Sequence, residues 1–75
     1  MDVTPRDPGD RARLDDLIRR ERNALQRDRL RAIALALDGE MTQEIEAKLG
    51  RSRAFVQRWV YVYRDEGLDA VRPGT

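Results

Sequence analysis

Polar side chains suited to contacts with nucleic-acid bases recur along one short segment in the second half of the chain. Arg53 and Arg58 carry guanidinium groups that can donate two hydrogen bonds to O6 and N7 of guanine, and the Gln57 amide can pair with N6 and N7 of adenine. Ala54 and Tyr61 fall on the same side at helical spacing. These five residues are candidates for contacts in the major groove of duplex DNA. The alternative interpretation is an ordinary solvated helix face.

An apolar stripe determines which side of this segment faces outward. The stripe consists of Val56, Trp59, Val60 and Tyr63. Its spacing predicts a helix over residues 53–65, with Ser52 as the N-cap and Gly67 just beyond the end. A glycine ending would bring Tyr63 against Leu68 and so anchor the chain that follows.

A sharp turn is predicted before this helix. Gly50 and Ser52 are only two residues apart, so the preceding helix must cross the next one at a steep angle. We expect Thr42 to cap that preceding helix, whose inward residues are Ile45 and Leu49. Free N–H groups at its start can orient a phosphate beside Thr42 and Gln43, and Arg51 is a further phosphate candidate. Capping alone accounts for Thr42 equally well.

Two further helices are predicted in the first half of the chain. Leu14, Leu17 and Ile18 share one stripe of a helix that begins at Asp10 and ends near Arg22. A second stripe, formed by Leu30, Ile33, Ala34 and Leu37, is rotated from the first. Asn23 with Gln26 has the spacing of a capping box, so we expect a second helix from there to Asp38-Gly39. One bent helix is the alternative. The first helix either covers Phe55 and Val62 within the chain or meets a second copy in a homodimer.

Composition excludes several classes of function. The chain has 75 residues, no Cys and no His, so histidine-ligated or thiolate metal sites, thiol nucleophiles and Ser-His-Asp triads are excluded, and we expect no cofactor, no metal and no enzymatic activity. The formal net charge is +1, but residues 11–31 and 51–64 each sum to +4 around an acidic segment. No apolar run can span a membrane, which favours a cytoplasmic protein.

The expected architecture is an all-α fold in one small domain. We expect a flexible arm over residues 1–9, a helix-turn-helix DNA-binding domain over residues 10–71, and a tail or shortened linker over residues 72–75. The domain would contain three core helices and one extra N-terminal helix. Its core is small, because chains of this length bury little apolar surface.

Several short motifs between Leu30 and Pro73 resemble those of a known family. They are an apolar helix ending in Asp38-Gly39, then Thr42-Gln43-Glu44-Ile45, Leu49-Gly50-Arg51-Ser52, Val56-Gln57-Arg58-Trp59, Tyr63-Arg64-Asp65-Glu66-Gly67-Leu68 and Arg72-Pro73-Gly74. In these motifs the chain resembles the homeodomain-like N-terminal DNA-binding segment of bacterial insertion-sequence transposases of the mariner superfamily. The resemblance implies recognition of terminal inverted repeats, with strand transfer assigned to a separate downstream domain.

Two positions depart from the pattern of that family. It prefers a small residue four positions before the turn glycine and an apolar residue directly after it, where this chain has Glu46 and Arg51. A Schellman ending at Gly50 would bring those two positions together, so we expect a Glu46–Arg51 ion pair.

Other functions fit the same pattern. A free-standing helix-turn-helix regulator or a phage DNA-packaging recognition subunit would use the same surface on duplex DNA. A helical protein-interaction module, for which the outward arginines are incidental, is the alternative from another class.

Overall fold

The computed structural model describes residues 3–71, which form four α-helices and one short 3-10 helix. The α-helices are α1 (Asp10–Arg20), α2 (Ala24–Leu37), α3 (Thr42–Leu49) and α4 (Arg53–Glu66), and the 3-10 helix spans Leu68–Ala70. The described residues contain no strand. The all-α prediction is confirmed.

The break between α1 and α2 follows from local capping. The Asn23 side chain accepts a hydrogen bond from the backbone N–H of Gln26 at 3.0 Å, so Asn23 is the N-cap of α2, as predicted. The reciprocal half of the predicted capping box is wrong. The Gln26 side chain is buried and donates to the carbonyl oxygen of Val71 at 2.9 Å, which ties the end of the described chain to α2.

Two apolar clusters form the core. The first joins α1, α2 and the C-terminal part of α4, with Leu14, Leu30, Ile33 and Tyr63 among its buried residues. The second joins α2, α3 and the N-terminal part of α4, and its buried residues are Ala32, Ala36, Ile45, Val56 and Val60. Helix α2 therefore lies at the centre of the fold and contributes to both clusters.

Helix α1 packs within the chain. Leu14 is fully buried, and Leu17, Ile18 and Val62 pack against the same cluster. Phe55 lies instead against the second cluster. Of Phe55 and Val62, only Val62 therefore packs in the same cluster as α1. Two side-chain hydrogen bonds of 2.9 Å from Arg11 to Asp38 further join α1 to the end of α2, and they lower the pKa of the Asp38 carboxyl. As predicted, α1 covers Val62 within the chain, and a homodimer is not needed to cover this side chain.

The segment before α1 contacts the helices, although the sequence predicted a flexible arm. Val3 packs against both clusters. The backbone N–H of Arg6 donates to the Tyr63 hydroxyl at 2.9 Å, and that hydroxyl donates to buried Asp10 at 2.6 Å. Arg6 also donates to the carbonyl oxygen of Arg64 at 2.6 Å. Residues 3–9 are thus joined to the end of α4. The predicted tail, residues 72–75, lies outside the described residues.

None of the helices between residues 3 and 71 is long and apolar enough to cross a bilayer.

Candidate nucleic-acid interface

Helix α4 has one buried side and one exposed side. Val56, Val60 and Tyr63 are each 0% exposed, which confirms three of the four predicted core positions. Trp59, the fourth, packs at the edge of the first cluster and is only half-buried. The opposite side of the helix therefore faces solvent, as the apolar spacing predicted.

The turn that positions α4 is closed by Gly50 and Ser52. Gly50 adopts the left-handed conformation, with φ of 66°, and its N–H donates to the carbonyl oxygen of Glu46 at 2.8 Å. The Ser52 hydroxyl then accepts from the N–H of Phe55 at 3.2 Å and caps α4. Both predicted roles are confirmed.

The predicted cap of α3 is wrong. Met41 is the N-cap, and Thr42 is the first helical residue. The reason is the position of Glu44, whose carboxylate reaches back and accepts from the backbone N–H of Met41 at 3.1 Å. The N–H of Ile45 also donates to the carbonyl oxygen of Met41 at 3.1 Å, so the first helical turn begins one residue earlier than we predicted.

The starts of α3 and α4 meet at a surface depression of about 500 Å³. Its lining residues are Met41, Thr42, Gln43, Glu46 and Arg53. Three of the predicted site residues, Thr42, Gln43 and Arg53, are therefore brought together. Met41 was missed, because a 64% exposed methionine at a helix start carries no sequence signal that separates it from a core residue.

The other outward residues of α4 extend from this depression. Ala54 and Arg58 are exposed, Gln57 is half-buried, and Tyr61 is 39% exposed. The Arg64 guanidinium lies over the Tyr61 ring at 4.4 Å and also donates to Asp65 at 2.9 Å, which lowers the pKa of the Asp65 carboxyl. All five predicted outward residues of α4 therefore lie along one accessible side, which we call the α4 outer face (Arg53, Ala54, Gln57, Arg58 and Tyr61).

The α4 outer face carries two positive charges, on Arg53 and Arg58, and none of its five residues is acidic. Neither Arg53 nor Arg58 forms an ion pair with any residue between 3 and 71. Two uncompensated guanidinium groups on one side of a helix attract anions, and the attraction weakens as salt is added.

Arg51 differs from its prediction. Its side chain donates to the Asp28 carboxylate of α2 at 2.9 Å and lies over the Phe55 ring at 5.3 Å. The predicted Glu46–Arg51 ion pair is therefore wrong. Helix α3 ends with a single hydrogen bond from the N–H of Gly50 to the carbonyl oxygen of Glu46, and the Arg51 side chain pairs with Asp28 of α2 instead. The sequence offered no local signal for a partner 23 positions away.

No cluster of acidic residues among residues 3–71 is arranged to hold a metal ion.

Comparison with known families adds one finding. The sequence model described as a helix-turn-helix domain matches residues 28–74, a span that begins in the first turns of α2 and includes α3 and α4. Helix α1 precedes the matched span. The chain has no significant match among curated proteins or among solved structures.

Proposed function

We propose, since the chain belongs to the helix-turn-helix domain family, that it binds duplex DNA in a sequence-specific manner with α4 in the major groove. The observation that carries this proposal is the α4 outer face, where Arg53 and Arg58 are exposed and have no ion-pair partner among the described residues. A helix has the width that the major groove admits, and its exposed side chains then reach the base edges.

The residues divide into two roles in this proposal. Arg53, Gln57 and Arg58 have the donors and acceptors needed to distinguish base pairs, and Ala54 and Tyr61 offer apolar or hydroxyl contacts beside them. Thr42 and Gln43 lie at the start of α3, where free backbone N–H groups favour a phosphate oxygen. Phosphate contacts fix the orientation of the protein, and base contacts select the sequence.

The biological target that we propose is the terminal inverted repeat of a transposable element. The resemblance of residues 30–73 to the DNA-binding segment of mariner-superfamily transposases supports this target. The residues present fit a binding role, and we assign strand transfer to a separate domain. A regulator would use the same face on an operator, and the two targets are distinguished by the sequence that the protein selects.

The test is duplex binding measured by fluorescence anisotropy, first on a random-sequence pool from which bound duplexes are selected. We expect enrichment of a defined sequence, and Arg53→Ala should weaken binding to it by about tenfold or more, which corresponds to the ~1–3 kcal/mol of one bidentate base contact. The melting temperature should stay unchanged, because Arg53 makes no core contact.

Arg20→Ala is the matched control. Arg20 is highly exposed at the end of α1, outside the matched helix-turn-helix span, so its loss should leave the affinity for the selected sequence nearly unchanged. A chain that binds no duplex, or binds all sequences equally and without salt dependence, would instead act as a protein-interaction module.

A further inference from the structure

Two guanidinium groups from different helices lie on the same indole ring. Arg29 of α2 has its guanidinium carbon 4.3 Å from the centroid of the Trp59 ring, and the corresponding distance for Arg58 of α4 is 5.3 Å. The two guanidinium carbons are therefore at most 9.6 Å apart, the sum of 4.3 Å and 5.3 Å. Cations favour the electron-rich face of an indole, so Trp59 can hold both side chains beside it.

No carboxylate between residues 3 and 71 compensates these two charges. Neither Arg29 nor Arg58 forms an ion pair in that part of the chain. The acidic neighbour of Arg29 is Asp28, and Asp28 is already engaged by Arg51 at 2.9 Å and by Arg31 at 3.8 Å. Two like charges beside one ring repel each other, and an anion that contacts both guanidinium groups would offset that repulsion.

Arg29 is held in place before any ligand binds. Its Nη1 donates to the side-chain oxygen of Gln26 at 3.1 Å, and buried Gln26 donates in turn to Val71 at 2.9 Å. The Nε of Arg29 is buried without a hydrogen-bond partner in the described part of the chain. Burying part of a cation without an acceptor is unfavourable in the free protein, and a phosphate beside the half-buried guanidinium would offset part of that cost.

We propose that Arg29, Trp59 and Arg58 form a binding site for one phosphate of the DNA backbone, here called the Arg–Trp–Arg site. Guanidinium groups bind phosphate oxygens with their parallel N–H donors. The inference rests on the proposed function, since Arg58 belongs to the α4 outer face and places the site at its border. It assigns α2 a direct part in DNA binding. A phosphate contact on α2 would fix the rotation of α4 in the groove.

The test compares the salt dependence of duplex binding by the wild-type chain and by Arg29→Gln. A phosphate contact is independent of sequence, so a short duplex of random sequence at low salt is a sufficient probe. The logarithm of the association constant falls with the logarithm of the salt concentration by about 0.9 for each neutralised phosphate. We expect the slope of this salt dependence to be smaller for Arg29→Gln than for the wild type by about 0.9. Arg29→Lys keeps the charge and should retain most of the wild-type slope.

Arg27→Gln is the matched control. It removes the same charge from α2, two residues earlier and therefore on the other side of the helix, from an exposed position with no ion pair in the described part of the chain. We expect the slope of this variant to equal that of the wild type. A wild-type slope in folded Arg29→Gln, or an equal loss in Arg27→Gln, would overturn the Arg–Trp–Arg site.

Trp59 fluorescence gives a second measurement that needs no variant, because Trp59 is the chain's only tryptophan. Phosphate binding beside the ring should change its emission when unlabelled duplex is added. Unchanged emission at saturating duplex would overturn the site, and an equal change with inorganic phosphate alone would show that the ligand is a free anion. If the wild-type chain binds duplex in a salt-dependent manner, either of these fluorescence results leaves the proposed function intact. A wild-type chain that binds no duplex contradicts the proposed function itself.

Discussion

At the scale of single residues, the fold depends on a few polar groups whose partners are distant in sequence. Tyr63 is the clearest example, since its ring lies in the first cluster while its hydroxyl donates to Asp10 and accepts from the N–H of Arg6. Burial, followed by the hydrogen bond to Asp10, raises the pKa of Tyr63 to about 12. The apolar stripe of α4 predicted the buried ring. Nothing in the local sequence predicted the partners of its hydroxyl, which are more than fifty positions away.

The raised pKa of Tyr63 makes stability depend on alkaline pH. The unfolded chain loses the phenol proton above about pH 10, whereas the folded chain retains it until about pH 12, so the free energy of unfolding falls as the pH rises between these values. The loss should be on the order of 2 kcal/mol. Urea unfolding across this pH range measures it.

Tyr63→Phe should lack this contribution to the pH dependence. It should also be less stable at neutral pH by about 1–3 kcal/mol, because buried Asp10 then loses its hydroxyl donor. An identical alkaline loss in the wild type and in Tyr63→Phe would show that Tyr63 is not its source.

At the scale of helices, short-range signals predicted most boundaries. Glycines at positive φ end α3 and α4, and the side chains of Asn23 and Ser52 cap α2 and α4, as the sequence indicated. The cap of α3 was misassigned, because Thr42 is a strong cap by type, whereas the helix begins one residue earlier and Glu44 accepts from the N–H of Met41. Local pattern therefore predicts where helices occur better than it predicts which side chain satisfies each end.

The turn before α4 provides a test at this scale. Gly50 has φ of +66°, and apart from Gly50 and its two chain neighbours no residue has an atom within 4 Å of the position that a Cβ would take there. Gly50→Ala would therefore meet no steric clash and would incur only the conformational cost of the left-handed region. We expect a loss of about 1–2 kcal/mol in the free energy of unfolding, measured by chemical denaturation.

Gly9→Ala is the comparison for this substitution. A Cβ at Gly9 would likewise meet no atom within 4 Å beyond its two chain neighbours, but the φ of Gly9 is −89°, so alanine should change the stability by no more than about a few tenths of a kcal/mol. Equal effects at the two positions would contradict the conformational explanation for Gly50.

At the scale of the whole molecule, α2 connects the parts of the domain. It packs against α1, α3 and α4, carries Arg29 beside Trp59, and holds Asp28 against Arg51. The sequence predicted that the outer face of α4 would be exposed, because the apolar stripe determines it. It did not predict that Arg51 is bound within the fold or that Arg29 lies over the Trp59 ring, since both depend on how α2 packs against the rest of the chain.

The most direct test of α4 as the DNA-binding helix is an NMR titration of the ¹⁵N-labelled chain with its selected duplex. If α4 lies in the major groove, the largest amide shifts should fall on the α4 outer face and at the start of α3, and the exposed residues of α1 should change little. Shifts concentrated on α1, or no shifts at saturating duplex, would contradict the placement of α4 in the groove.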